Sequence, residues 1–463
     1  MMPRRGVGPA LVVLFLALGS SALAESKPSL ESQDALTAQI DRLLAEAYPA
    51  EQPGVAVLVR VGDKVLLRKG YGMASLEWAI PVDPETVFSI GSLTKQFTAF
   101  AILKAVQEGK VSLEDPLTRY FPDLPAFFNS IKVEHLLTHT SGIASYPSLP
   151  DYLHWSQRDL PKEAVLQRFL QEPLDFDPGK GWVYSDSGFY LLGLILEKVY
   201  GKSYSDVMQE KIFGPVGMKH SLVDEPGRIV SHRAVGHILE NGRIVKAPVV
   251  SPNVSYAAGA ILSTIDDMAL WDHALSHGFI PEDLLKRAFN SYRLADGRST
   301  NYGYAWAIGK YEGHVLIEHG GRVSGCESHV LRMPDSAAVV IILGNGLGRK
   351  PGPDFLARKI ASYLIGKPYA PVAVALPQEI LEEYVGTYRF SETSVGKVAL
   401  DGSRVLFQRN AKEPQVIFPK EKDVFFFPDS FTSLRFERDP SGKIVRLIYT
   451  PDYGVERRAE KIP

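Results

Sequence analysis

Residues 88–110 read FSIGSLTKQFTAFAILKAVQEGK. Phe97, Phe100, Ala101, Leu103 and Val106 recur at three- and four-residue steps, which predicts a helix with a buried face, and Gly109 suits its C-terminal end. A glycine-containing loop enters that helix at Ser92-Leu93-Thr94-Lys95. The first N–H groups of a helix have no partner within it and favour developing negative charge. Lys95, one turn on, projects from the same face as Ser92. A serine is nucleophilic at neutral pH only with a base in hydrogen-bond reach, and a desolvated lysine can be that base. Ser-x-x-Lys alone is a weak signal, because Ser394-Val395-Gly396-Lys397 has the same spacing in a β-rich tail with no helix behind it. That second copy is expected to be a turn. For Ser92 the bland alternative is an N-cap serine beside a solvated lysine, so partners elsewhere must decide.

Working outward, residues 51–68 (EQPGVAVLVRVGDKVLLR) read as two strands joined at Gly62-Asp63. Residues 134–143 (EHLLTHTSGI) predict a short helix running into a loop. Residues 189–199 (FYLLGLILEKV) and 265–275 (IDDMALWDHAL) predict two further helices, the second capped by Ser263 or Thr264. Residues 300–345 read as successive strands with glycine turns, and residues 355–365 as a closing helix. Strands near both ends with helices between them imply an α+β domain over residues 25–366, its sheet built from both termini and covered by a helical section. A proline-punctuated linker, residues 367–376, follows. From there to residue 463, segments such as KVALDGSRVLFQ and DVFFFPD alternate with Asp-Gly, Pro-Asp and Ser-Gly turns, predicting a small all-β, barrel-like domain.

Composition narrows the function classes. The chain has 463 residues, a formal net charge of −2 and a single cysteine, Cys326. Mixed charge argues against nucleic acid as a partner, and one cysteine forbids an intramolecular disulfide, so stability must come from a large core. Arg4 and Arg5 precede an apolar run from Ala10 to Leu18, followed by Ala22-Leu23-Ala24. That pattern predicts a signal peptide over residues 1–24, cut after Ala24, and therefore an exported protein, periplasmic or extracellular. The run is too short for an integral membrane anchor.

Two more segments supply partners for Ser92. Residues 181–193 (GWVYSDSGFYLLG) set Tyr184-Ser185-Asp186 just before an apolar helix, and residues 317–325 (IEHGGRVSG) set His319-Gly320-Gly321 after a strand. Ser92-x-x-Lys95, Tyr184-x-Asp186 and His319-x-Gly321, in that order, resemble the motifs of the serine β-lactamase and penicillin-binding protein superfamily. The likeness is greatest to the branch with class C β-lactamases, D-alanyl-D-alanine carboxypeptidases and related esterases. The accessory stretches HLLTHTSGI, YAAGAILSTIDDMALW, YGYAW and MPDSAAVVIILGN fit as well, and the likeness covers roughly residues 35–366. It implies a β-lactamase-like antiparallel sheet flanked by helices, beside a helical subdomain. The tail resembles the lipocalin-like domains attached to some relatives.

The resemblance also implies roles. Ser92 would be the acylated nucleophile, Lys95 its proton partner and Tyr184 the phenol that relays the proton to the leaving group. His319 would orient Tyr184 or a substrate carboxylate. The backbone N–H groups of Ser92 and Arg322 would form the oxyanion hole, with Gly320 and Gly321 letting substrate lie along the strand. No metal or organic cofactor is implied. The substrate would be a small ester, peptide or β-lactam-like molecule, cleaved by an exported serine hydrolase through an acyl-enzyme. The rival reading is a non-catalytic penicillin-binding sensor or scaffold that acylates without turnover.

Asp186 departs from the pattern, which has asparagine there. An asparagine amide both donates and accepts, whereas an ionised carboxylate only accepts. Near Lys95 its charge is expected to favour the ammonium form and raise the lysine's pKa. His135 and His139, four apart, are expected to serve packing rather than a metal, and Cys326 to be a buried apolar residue.

Overall fold

The computed structural model describes residues 30–392, 394–452 and 456–462. The expected signal peptide lies outside them. Among the described residues, no helix is long and apolar enough to cross a membrane.

The central sheet has six antiparallel strands. In chain order they are β1 (Val55–Val61), β2 (Lys64–Tyr71), β3 (Ala307–Tyr311), β4 (His314–Val323), β5 (Cys326–Met333) and β6 (Ala338–Gly344). Their spatial order is β3-β4-β5-β6-β1-β2, so the early and late segments join where β1 pairs with β6, with Val55 opposite Gly344 and Val61 opposite Ala338. Alternation along β1 assigns its two faces. Val55, Val57 and Val59 pack with Ile40 and Leu44 of α1 (Leu30–Ala47) and with Leu356 and Ile360 of the C-terminal helix. Ala56 and Leu58 face the other way, into the large core shared with the helical section.

That core centres on α2 (Thr94–Gln107), buried nearly all round from Thr94 to Leu103. Phe97 and Phe100 lie 4.9 and 5.2 Å, ring to ring, from Trp271 of α5 (Ile265–Ser276). Helices α3 (Asp186–Tyr200) and α4 (Pro252–Gly259) complete it, and α6 (Pro353–Leu364) closes the outer face of the sheet. The Thr264 hydroxyl accepts the Asp267 N–H, capping α5 as anticipated.

Beyond α6 and a short helix, Gln378–Tyr384, eight antiparallel strands close into a barrel: β7 (Gly386–Ser391), β8 (Ser394–Asp401), β9 (Arg404–Arg409), β10 (Gln415–Glu421), β11 (Val424–Phe426), β12 (Ser433–Arg438), β13 (Ile444–Thr450) and β14 (Arg457–Ile462). Closure removes free edges, and Tyr388, Phe407, Phe425 and Phe436 fill the interior. Ser394, the competing motif serine, is the first residue of β8, paired with Ser391 across the ladder, a strand position and not the turn expected of it, with no helix behind it.

The barrel meets the six-stranded sheet through Phe431. Its ring stacks on Tyr369 at 3.8 Å and packs against Tyr311 and Phe355 at 5.5 and 5.7 Å. The Arg358 guanidinium lies beneath the same ring, 5.8 Å from its centre. Arg358 in turn holds the fully buried Glu318 carboxylate through both Nε and a terminal nitrogen, and His329 Nε2 donates to the same carboxylate at 2.9 Å. Burial alone would raise the Glu318 carboxyl, but Arg358 and His329 bring it down to about 2. This network pins α6 behind β4, the strand that carries His319.

Candidate active site

Ser92 lies in a 3₁₀ turn, Gly91–Leu93, that leads straight into α2. Gly91 has φ +53°, and a Cβ there would stand 2.5 Å from the Arg322 backbone nitrogen. A Cβ on Gly321 would stand 1.9 Å from the Ile90 carbonyl oxygen. Only glycine at both positions lets the Ser92 turn and the end of β4 approach this closely.

Lys95 is completely buried beneath Ser92. Its Nζ lies 3.1 Å from Ser92 Oγ, 2.6 Å from Asp186 Oδ1 and 2.9 Å from the Ala258 carbonyl oxygen. The last contact depends on a kink in α4, where Tyr256 takes φ +38° and ψ −131°. Past the kink, the Ala257 carbonyl accepts from Thr98 Oγ1 at 2.7 Å and the Ala258 carbonyl accepts from Lys95. Backbone in so sparsely populated a region persists only where its surroundings impose it. Here it forms a socket for Lys95.

Burial pushes the Lys95 pKa down and outweighs the opposing pull of Asp186. This corrects the expectation from sequence, which weighed the carboxylate and not the desolvation. Of the three partners around Nζ, Asp186 Oδ1 and the Ala258 carbonyl can only accept, and the Ser92 hydroxyl is the one that can also donate. Asp186 does not turn away as a helix cap would. Its N–H donates to Ser145 Oγ at 3.0 Å while its carboxylate faces Lys95.

His319 and its neighbours form a hydrogen-bond chain whose direction is set by backbone groups at its ends. The Ser185 N–H donates to His139 Nδ1 at 3.1 Å, so the His139 proton is on Nε2, 3.2 Å from the Tyr302 hydroxyl. The Tyr302 hydroxyl lies 2.8 Å from His319 Nε2, and His319 Nδ1–H donates to the Gly320 carbonyl at 2.6 Å. Burial holds His139 well below the usual imidazole range, and burial with nearby Lys95 brings His319 down to about 3. Both rings are therefore neutral at ordinary pH. Tyr184 lies among them, its ring centre 4.2 Å from that of His139, 6.0 Å from that of His319 and 4.9 Å from Lys95 Nζ.

Ser92, Tyr184, His319, Gly320, Gly321 and Arg322 line one cleft of about 880 Å³, with Lys95 and Asp186 meeting behind Ser92. The sequence reading missed Tyr302 and His139 as parts of the site, although both fall in stretches already singled out, YGYAW and HLLTHTSGI. It also missed the barrel's share: Arg409, Tyr449, Pro451 and Arg457 line the same cleft. No spacing rule links residues that distant. His135 Nδ1 accepts from the Lys132 N–H, apart from the His139 chain. Cys326 is buried, which raises its thiol to about 11.

The sequence profile of the Beta-lactamase family matches residues 40–365. The chain belongs to the Beta-lactamase family. A second profile, a domain of unknown function (DUF3471), matches residues 370–461. Among curated proteins the chain is similar to Penicillin-binding protein 4* of Bacillus subtilis, 27% identical over 400 residues, covering 80% of this chain and 87% of that protein. It is also 27% identical over 374 residues to a D-aminopeptidase of Gluconobacter oxydans, covering 78% of this chain and 68% of the relative. Among solved structures, the octameric penicillin-binding protein homologue from Pyrococcus abyssi superposes with a TM-score of 0.66 at 27% identity, covering 92% of this chain and 99% of that one. The antiparallel sheet, the helices on its faces and the C-terminal barrel agree with the fold expected from the motifs, and the chain is a β-lactamase-related serine hydrolase.

Proposed function

We propose that the protein cleaves small esters and amides through an acyl-enzyme on Ser92, esters faster than β-lactams. The observation that carries this is the placement of Lys95 Nζ, fully buried and 3.1 Å from Ser92 Oγ. The lysine lone pair takes the Ser92 proton as Oγ attacks the substrate carbonyl. The backbone N–H groups of Ser92 and Arg322 stabilise the oxyanion, an arrangement worth ~10²–10³ in rate per donor. Tyr184, beside Lys95, passes the proton to the leaving group, and water then hydrolyses the acyl-enzyme by the reverse route. His319, neutral, keeps Tyr302 and the Gly320 carbonyl in place beside the cleft; it brings no positive charge.

Substrate preference follows from Asp186. An acylamino side chain, as in a penicillin or a peptidoglycan stem, would meet an acceptor where an amide donor is wanted, while a simple ester asks less. The D-aminopeptidase relative supports amide substrates as a second class. The expected leader would carry the enzyme out of the cytoplasm. A panel on purified protein tests the reading: short p-nitrophenyl esters, D-amino-acid amides, D-alanyl peptides and a chromogenic cephalosporin, each with and without Ser92→Ala. Labelling of Ser92 in one-to-one stoichiometry without turnover of any class would leave the sensor reading standing instead.

A further inference from the structure

The cleft has two walls, one from the hydrolase domain and one from the barrel, and their charges are unbalanced. Four arginines line it (Arg298, Arg322, Arg409 and Arg457) against two carboxylates, Glu327 and Asp354, in a chain whose net charge is −2. On the hydrolase wall the charges are engaged. Arg322 Nε donates to Glu327 at 2.7 Å, Arg298 Nε donates to Asp296 at 2.6 Å, and Asp354 accepts the Phe355 N–H at 2.9 Å. On the barrel wall no carboxylate of the described residues pairs with Arg409 or Arg457.

Both barrel arginines nevertheless reach the cleft. Arg457, at the start of β14, is the cross-strand partner of Tyr449. The Arg409 guanidinium sits over the same Tyr449 ring at 5.1 Å and over Phe390 at 4.8 Å. Burial, and the nearby charge of Arg457, lower the Arg409 pKa. The Arg409 guanidinium, half-desolvated against aromatic rings with the charge of the exposed Arg457 nearby, is unfavourable until an anion joins them, and guanidinium groups match a carboxylate in geometry.

We propose that Arg409 and Arg457 form an anion subsite in the barrel wall of the cleft, selecting substrates that carry a carboxylate remote from the bond cleaved at Ser92. The proposal rests on the reading of Ser92 as nucleophile and adds the class of substrate. The barrel then supplies specificity to a catalytic centre built entirely in the other domain.

Matched substrates differing only in one charge test it on the full chain. One pair puts the charge on the acyl side, mono-p-nitrophenyl glutarate against its methyl ester. The other puts it on the leaving group, 3-carboxyphenyl acetate against its methyl ester. In at least one pair the acid should exceed its ester in kcat/KM by roughly tenfold, the scale of one charge-assisted hydrogen bond, and the advantage should shrink with added salt. Arg409→Gln with Arg457→Gln should bring that ratio towards one, and the Arg409→Lys, Arg457→Lys pair should recover part of it. Equal ratios in wild type and the glutamine variant, or equal slowing of acid and ester, would overturn the proposal. Should Ser92→Ala leave ester turnover intact, the nucleophile is wrong, and the subsite is then judged by calorimetry alone. Glutarate must bind the Ser92→Ala protein more tightly than the same protein lacking both arginines; equal affinity overturns it.

Discussion

Lys95 Nζ stands 2.6 Å from Asp186 Oδ1 with none of the lysine side chain exposed to solvent. The carboxylate steadies the ammonium form and burial opposes it, and burial prevails. On the proposed role of Lys95 as base, the pH at which the enzyme becomes active is set by a contest between two effects of opposite sign.

Asp186→Asn removes the charge that raises the lysine pKa, so the pKa falls further and the neutral base is present at lower pH. The acid limb of kcat/KM for an ester should move to lower pH. At the pH optimum, the ratio of β-lactam to ester kcat/KM should rise roughly tenfold, because the new amide can donate to an acylamino group. A limb that stays in place across pH 5–10, with an unchanged ratio, would remove Asp186 from both arguments.

Ser92→Ala should abolish fluorophosphonate labelling and turnover together, while Ser394→Ala, at a barrel hairpin, should alter neither. Peptide mapping of the labelled protein by mass spectrometry decides it; an adduct on any other serine contradicts the assignment.

Tyr302→Phe deletes the hydroxyl between the two neutral histidines. The buried His319 Nε2 then lacks its donor, at a cost of about 1–3 kcal/mol. As a positioning change it should lower kcat with a smaller effect on KM and should lower the urea midpoint. Full kcat in a stable Tyr302→Phe protein would show that the chain does not position the site.

Acid should weaken the fold in two windows that open one after the other. An unfolded histidine takes a proton near 6.5, whereas His319 resists it down to about 3, so stability declines as pH drops below 6.5. On the order of 2 kcal/mol is lost from His319 by pH 5, and His139 acts in the same direction. Glu318, held near 2 against an ordinary 4.5, stabilises above 4.5 and is lost only below it. Urea midpoints from pH 7 to 5 should fall in the wild type and fall less in His319→Gln; parallel lines would contradict this.

A chain ending at Lys367 is expected to stay soluble and keep Ser92 reactive towards fluorophosphonate. It loses Phe431 from the hydrophobic face of Tyr311 and Phe355, so its melting temperature should be lower and its substrate preference altered. Loss of all labelling in a folded truncation would mean the barrel completes the catalytic centre itself.

Periodicity made the elements legible where one face of each was buried. The β1–β2 hairpin turns at Gly62-Asp63, α3 spans the apolar stretch after Tyr184, and α6 begins two residues before the expected closing helix. Helix α1 was not anticipated, although Leu36, Ile40, Leu43, Leu44 and Ala47 follow the helical period and pack on the sheet, with Ile40 and Leu44 fully buried. In the site, short motifs located Ser92, Lys95, Tyr184, Asp186 and His319. They could not reveal the sign of the Lys95 shift, because desolvation depends on what packs around a residue and not on its neighbours in sequence. The Ala258 carbonyl was equally hidden, since a main-chain group aimed by a backbone kink leaves no side-chain signature.

The pairing of β1 with β6 joins segments separated by about 280 residues, and chains dominated by such distant pairings fold slowly. During synthesis the β1–β2 hairpin must wait with one long apolar edge unsatisfied until the β6 segment emerges. That interval is when misassociation with another nascent chain is easiest. Refolding from denaturant should accordingly be far more sensitive to protein concentration than unfolding, and a chaperone that shields an extended apolar strand would act here on β1.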